Sequence, residues 1–266
     1  MDHKKITDAN RKAWNEVLPF HKKGRKIDLH KGFARPGFSV LDDVITAKLK
    51  EIGLKGKTVA QPCCNNGREL LSLINLGAKS GVGFDLSDAF IEEANELKKI
   101  AGVDCRFVET NVLEIGEEYR GQFDMVLITI GALCWITDLP RFFEIVEGML
   151  KVGGDLIIYE SHPIAFTLAL EGDNGYDSTH PLNPVFSYFK SDPWAEVGLD
   201  YYGNARYEGT THYSFTQKFS DIINPIVKSG LLIQELREYS HDISNGFAHI
   251  ENEKILPLSY ILHCVK

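Results

Sequence analysis

The sequence predicts an α/β chain built on a largely parallel sheet with helices on both faces. Three observations carry that reading. Short apolar or β-branched runs alternate with helical patterns from about Lys57 to Glu160, as strand–helix crossovers require. A small-residue loop, Pro62–Cys63–Cys64–Asn65–Asn66–Gly67, joins the first run to a helix start. An acid, Asp85, closes the second run eighteen residues after Gly67.

The elements follow in order. The segment from Ile6 to Gly53 holds two helical patterns, around Ala9–Leu18 and Ser39–Leu49. Trp14, Phe20, His21 and Phe33 lie on or between them. Aromatic side chains outside the sheet can cover a ligand, and the same side chains can equally fill a satellite core. The basic cluster His21–Lys22–Lys23–Gly24–Arg25–Lys26 reads as a solvated loop. Expected strands are Thr58–Pro62, Ser80–Phe84, Cys105–Val108, Phe123–Thr129 and Asp155–Glu160. Ser87 is placed to N-cap a helix whose Phe90, Ile91, Ala94, Leu97 and Ile100 fall at helical spacing. Thr137–Asp138 precede another, with Pro140 in its first turn and Phe142, Phe143, Ile145, Val146, Met149 and Leu150 on its buried side. Gly153–Gly154 is its expected stop.

The alternation then breaks. From about Pro163 to Tyr213 the chain is rich in Gly, Pro, Asp, Asn and Tyr, as in Glu171–Gly172–Asp173–Asn174–Gly175. That is too long for a structureless loop in a compact domain and too aromatic for plain disorder. It reads as an inserted lid, with short strands around Val185–Phe189 and Tyr207–Tyr213. A helix at Phe219–Ser229 and strands at Leu231–Tyr239 and Leu258–Val265 complete the chain. The whole reads as one domain, 1–266, with a helical cover (1–53) and a lid (163–213).

Composition narrows the function. The 266 residues are 44% hydrophobic and 25% charged, enough for one sizeable core. A net charge of -8 without a dense basic face argues against nucleic acid. The start, Met1–Asp2–His3–Lys4–Lys5, lacks an apolar signal core. The longest apolar stretch, Met125 to Ile136, is too short for a bilayer, so no membrane partner is expected. Five cysteines with no C-x-x-C pair suggest neither a disulfide framework nor a metal site, and a reducing cytoplasm is the expected compartment.

A first strand, a loop feeding a helix N-terminus and an acid on the next strand form the layout for gripping an adenosine ribose. A dinucleotide site needs glycines at the first two loop positions so that backbone can approach a pyrophosphate. Here those positions hold Cys63 and Asn65, and only Gly67 remains. The loop therefore suits a ligand without a phosphate, such as S-adenosylmethionine. Asp85 can grip ribose hydroxyls or favour the helix begun at Ser87. Asn111 can contact adenine or make a turn. Cys63 and Cys64 read as small loop residues rather than nucleophiles. His162, directly after the fifth strand, is either a base near the acceptor or a side chain that fixes the turn before Pro163. Trp135 either walls a substrate pocket or packs.

Taken in order, these fragments resemble the class I S-adenosylmethionine-dependent methyltransferases. Gln61, Cys63, Asn65 and Gly67 stand where that family carries acid–x–Gly–x–Gly–x–Gly. Asp85 stands at its ribose acid. Phe107–Val108–Glu109–Thr110–Asn111–Val112 is similar to its third-strand motif, and Leu150–Lys151–Val152–Gly153–Gly154 to the turn before its fifth strand. The resemblance implies a Rossmann-like, doubly wound sheet of seven strands, mostly parallel, with the last strand antiparallel. It implies S-adenosylmethionine held by Gln61, Cys63, Asn65, Gly67, Asp85, Leu86, Asn111, Val112 and Thr129. It places Trp14, His21, Trp135 and Glu160 at the substrate pocket, with His162 as candidate base. More narrowly, Asn10–Arg11–x–x–Trp14, Leu133–Cys134–Trp135–Ile136–x–Asp138–Leu139 and Glu160–Ser161–His162–Pro163 together resemble one subgroup of uncharacterised methyltransferases. The implied activity is methyl transfer to a small molecule. Three rivals are a non-catalytic binder of S-adenosylmethionine or its product, a nicotinamide-dependent oxidoreductase, and a protein-interaction module using the aromatic insertion.

Overall fold

A computed structural model describes residues 2–173, 175–202 and 207–266. Met1, and Asn174 and residues 203–206 of the expected lid, lie outside the described residues. In chain order the helices are α1 (His3–Gly24), α2 (Leu29–Phe33), α3 (Asp43–Ile52), α4 (Arg68–Asn75), α5 (Asp88–Ala101), α6 (Leu139–Met149) and α7 (Phe219–Lys228). The strands are β1 (Thr58–Pro62), β2 (Ser80–Asp85), β3 (Cys105–Glu109), β4 (Phe123–Ile128), β5 (Leu150–Ser161), β6 (Trp194–Val197), β7 (Thr211–Ser214), β8 (Leu232–Tyr239) and β9 (Ser259–Val265).

Seven strands form one sheet in the order β3-β2-β1-β4-β5-β9-β8, and only β9 runs antiparallel to its neighbours. This is the Rossmann-like, doubly wound arrangement expected from the sequence. Its cause is the two-residue period of strands whose faces are both apolar. Val59, Met125, Leu127, Ile157 and Ile261 face α3, α4 and α5, while Ala60, Val126, Ile128, Leu156, Ile158 and Leu262 face α6 and α7. Strand order reverses at β1 and β4, so the crevice for a ligand opens at their carboxyl ends.

Several local details differ from expectation. The helix α6 ends at Met149, not at Gly153–Gly154, because Leu150 already pairs with Phe123 in the sheet. Gly153 instead takes a left-handed turn within β5, with φ 77. The lid has its two-stranded ribbon at β6 and β7. Val185–Phe189 is not a strand: the N–H groups of Val185 and Phe186 both donate to Thr167 O, and the stretch is irregular backbone. The basic cluster closes α1 instead of forming a loop, and it is only partly solvated: Lys22, Lys23 and Lys26 are exposed. His21 is fully buried, and Arg25 forms a two-pronged bond with buried Glu93 of α5.

The α1 helix and the lid are joined. Asn10 exchanges bonds with the backbone of Tyr213, donating at 2.8 Å and accepting at 2.7 Å. Glu16 accepts from both N–H and hydroxyl of Thr210. Of the 1–53 segment, α1 therefore lies with the lid over the strand ends, whereas α3 packs on the sheet face.

Candidate functional site

A crevice of about 130 Å³ opens at the carboxyl ends of β1, β2 and β4. It brings together nine residues expected from the sequence: Cys63, Asn65, Asp85, Leu86, Asn111, Val112, Thr129, Trp14 and Trp135. Thr7, Asn10, Arg68, Glu69, Thr137 and Tyr201 also line it and had no ligand role assigned from the sequence.

The loop after β1 keeps its shape without its first two glycines. Cys63, Asn65 and Gly67 all take left-handed backbone, with φ 55, 50 and 70. Asn tolerates that region because its short side chain bonds locally, and the Asn65 side chain accepts from the Asn66 N–H. Gly67 is fixed by packing as well. A Cβ there would lie 2.3 Å from the Phe107 ring, so α4 approaches β3 as only glycine permits.

Asp85 stands at the end of β2 with its carboxylate across this loop. One oxygen accepts from the Asn65 N–H at 2.7 Å and the other from the Ser87 N–H at 3.0 Å. A carboxylate has about four acceptor positions, so capacity remains towards the crevice. Burial raises its pKa against the pull of these backbone bonds. Ser87 caps α5 by accepting from the Phe90 N–H. Asn111 makes the turn, its Oδ1 accepting from the Leu113 N–H at 3.1 Å, and the residue also lines the crevice.

Gln61 and Gly67 support the crevice without lining it. Gln61 is buried and donates to the Thr129 hydroxyl at 3.1 Å. Its Oε1 has no partner among the described residues, an acceptor left open beside the crevice. Cys63 and Cys64 have thiols pushed well up by burial first and Asp85 second, which leaves them inert as loop residues.

Three expected pocket residues stand elsewhere. Glu160 lies beneath the loop after β4, accepting from the N–H groups of Gly131, Ala132 and Leu133 at 2.7, 2.7 and 3.0 Å. Burial lifts its pKa to about 7 against those bonds. It thereby shapes the wall that carries Trp135. His21 sits behind the wall, under Trp14, Phe90 and Tyr201, with Nε2 donating to Leu199 O at 2.8 Å. Burial brings its pKa down to about 4. His162 does not line the crevice. Its Nδ1 accepts from the Ile164 N–H at 3.1 Å and its Nε2 meets Glu238 at 2.9 Å, so both ring nitrogens are engaged at the base of the lid. This is the turn-fixing alternative, and the geometry offers no nitrogen to an acceptor.

Aromatic side chains roof the opening. Trp14 meets Trp135 edge-on at 5.2 Å and Tyr201 at 6.5 Å. The Phe215 N–H donates to Cys134 O at 2.8 Å, fastening the lid to the loop that carries Trp135. Chemically, the site can bind a ribose and a heterocycle on its polar side and exclude water under its aromatic side.

Residues 59–154 match a family model described as a methyltransferase domain. A tRNA U34 carboxymethyltransferase of Campylobacter hominis is 27% identical over 180 residues, 60% of this chain and 56% of that protein. The chain spans about half the length of the curated relatives it matches. Among solved structures, an S-adenosylmethionine-dependent methyltransferase from Mesorhizobium loti matches with a TM-score of 0.63 at 18% identity, over 83% of this chain and 96% of that one. Magnesium protoporphyrin IX methyltransferase from Synechocystis PCC 6803, with bound S-adenosylhomocysteine, matches over 100% of both chains with a TM-score of 0.59 at 15% identity. The strand order and the crevice agree with that match: residues 59–154 match a methyltransferase domain, and the chain has the fold of S-adenosylmethionine-dependent methyltransferase structures.

Proposed function

We propose that the protein transfers the methyl group of S-adenosylmethionine to a small-molecule acceptor. The observation that carries this reading is Asp85, whose carboxylate is held at the crevice by the backbone of both the loop and α5. When bound, the cofactor supplies a methyl group already activated on a sulfonium. The residues present fit it. Asp85 would take the ribose hydroxyls, and Asn111 with Val112 the adenine. The unpartnered Gln61 Oε1 offers an acceptor near Thr129. The loop's side chains at Cys63 and Asn65 suit a ligand without pyrophosphate better than a nicotinamide dinucleotide.

The protein's work in such a transfer is alignment and exclusion of water. Trp14, Trp135 and Tyr201 border the crevice and suit a compact, partly apolar acceptor. Among the described residues lining it there is no histidine, so the reading includes no dedicated histidine base. A cytoplasmic setting belongs to the same proposal.

One observation favours a second reading, transfer to RNA: two relatives are named tRNA U34 carboxymethyltransferases. The net charge of -8 opposes it. The test is a label-transfer assay from methyl-labelled S-adenosylmethionine into a small-molecule panel and into bulk tRNA. Label in a small molecule supports the proposal. Label in tRNA alone favours the second reading. Tight cofactor binding with no transfer to either favours a non-catalytic binder.

A further inference from the structure

The strand β8 ends the sheet: it pairs with β9 on one side and with no strand among the described residues on the other. Alternate N–H and C=O groups along it therefore point away from the fold. Such an edge is a template for another strand unless the sequence blunts it. Its first half is blunted, because the register with β9 slips between Ile233 and Glu235 and leaves Gln234 as the extra residue of a bulge. The second half, Glu235–Tyr239, is regular and contains no proline. Apolar side chains stand in the open along the strand: Leu232 is 64% exposed, Leu236 42% and Ile233 38%. The helix α7 packs beside β8 and leaves Val227 exposed as well.

We infer that β8 pairs antiparallel with β8 of a second copy of this chain, about a two-fold axis at Leu236, to give a dimer with one continuous sheet. Symmetry and charge together select the register. An axis perpendicular to the sheet keeps each side chain on its own face, and side chains alternate faces along a strand. The axis must therefore pass at a residue, not between two. In the regular half, an axis at Glu235, Arg237 or Glu238 sets that charge directly against its own copy, which is destabilising. An axis at Tyr239 leaves Glu235, Leu236 and Arg237 beyond the second strand. An axis at Leu236 sets Leu236 against Leu236, and each Glu235 against the second copy's Arg237. Glu235 and Arg237 share the face of α3, where Arg237 donates to Glu235 at 2.7 Å and to Glu51 at 3.0 Å, and Lys48 donates to Glu235 at 2.8 Å. Two acids and two bases make that network neutral, so two copies of it can meet without net repulsion. Leu236 stands on the opposite face with Leu262, its partner in β9. Glu238 of the same strand meets His162 at 2.9 Å at the base of the lid, so the pairing also braces the strand on which the lid rests.

The test is sedimentation velocity with light scattering on the full chain, joined to oxidative cross-linking of cysteine variants. At high micromolar concentration the wild type should have twice the 29.9 kDa mass of the chain. Leu236→Lys, a change at a half-exposed site, should give a monomer with the melting temperature of the isolated wild-type chain. Directly opposed residues of an antiparallel pair lie about 4.5–5.5 Å apart at Cα, within the span of about 4.4–6.8 Å that a disulfide bridges. Leu236→Cys should therefore cross-link to its own copy under mild oxidation. Glu235→Cys should not, and neither should the wild type, whose five cysteines are all free. A monomeric wild type overturns the inference. A dimer that survives Leu236→Lys places the interface elsewhere and overturns it too. Cross-linking through Glu235→Cys in place of Leu236→Cys contradicts the register, and open-ended aggregates in place of a dimer contradict the closed two-fold.

Discussion

The backbone N–H of Asn65 donates to Asp85 Oδ2 at 2.7 Å, which ties the loop after β1 to the acid that ends β2. Asn65 thus both fits the left-handed backbone and orients the Asp85 carboxylate. The altered loop is therefore a built structure, held at Asn65, Gly67 and Ser87, and the crevice above it has a fixed floor.

Gly67→Ala tests how that floor is fixed. The new methyl group meets the Phe107 ring at 2.3 Å and sits on backbone with φ 70. The expected loss of stability is about 2–4 kcal/mol, read by chemical denaturation. A change under about 0.5 kcal/mol, the scale of an ordinary surface substitution, would show that α4 can move away from β3 at little cost.

The α1 cover is coupled to the loop through a buried pair. Arg25 binds Glu93 on both oxygens, and Asn66 of the loop donates to Glu93 Oε2 at 3.2 Å. Burial alone would raise the Glu93 pKa, but Arg25 outweighs it and the net shift is downward. A depressed carboxylate contributes stability above its unfolded pKa and loses it as pH falls through the folded one. Arg25→Ala leaves a buried charge and should cost about 3–5 kcal/mol at pH 7. The stability gap between wild type and Glu93→Gln should shrink below about pH 4. A gap independent of pH would contradict the pairing.

His21 predicts a second pH dependence of different origin. Its folded pKa lies near 4 because it is buried, below the ordinary 6.5. The unfolded chain therefore takes up a proton first as pH falls. Stability from this site is complete above about pH 6.5 and is lost progressively towards pH 4, to an extent on the order of 3 kcal/mol. His21→Phe should flatten the stability profile between those values. An unaltered slope would mean that His21 charges freely in the folded protein.

His162→Ala separates a hinge from a base. With both ring nitrogens engaged by Glu238 and Ile164, the substitution should lower thermal stability and leave turnover nearly intact. A loss of about 100-fold or more in turnover, with unchanged cofactor affinity, would restore the role of general base.

Much of the fold was legible because β1, β4 and β5 are apolar on both faces and Ser87 is a good cap. Asp85 was legible by its distance from Gly67. Arg68, Glu69 and Tyr201 were not, for different reasons. The first two look like ordinary first-turn helix residues, and only the folded structure shows that they line the crevice. Tyr201 reaches the crevice from an insertion whose docking depends on Asn10 and Glu16, far away in sequence. The two readings of His162 could not be separated in the sequence because its partner, Glu238, arrives from β8, 76 residues later. The lid strands were partly misplaced because Val185–Phe189 and Trp194–Val197 have similar β propensity. The partner strand decides between them, and β7 pairs with the second.

The most direct measurement is the thermal stability of wild type and Asp85→Ala with S-adenosylmethionine, S-adenosylhomocysteine or NAD. A ligand at 100-fold excess over its dissociation constant stabilises the folded state by about 2.7 kcal/mol. The account predicts that S-adenosylmethionine and S-adenosylhomocysteine stabilise the wild type, that NAD does not, and that Asp85→Ala abolishes the effect. No stabilisation of the wild type by either sulfur ligand, or an undiminished effect in Asp85→Ala, would contradict it.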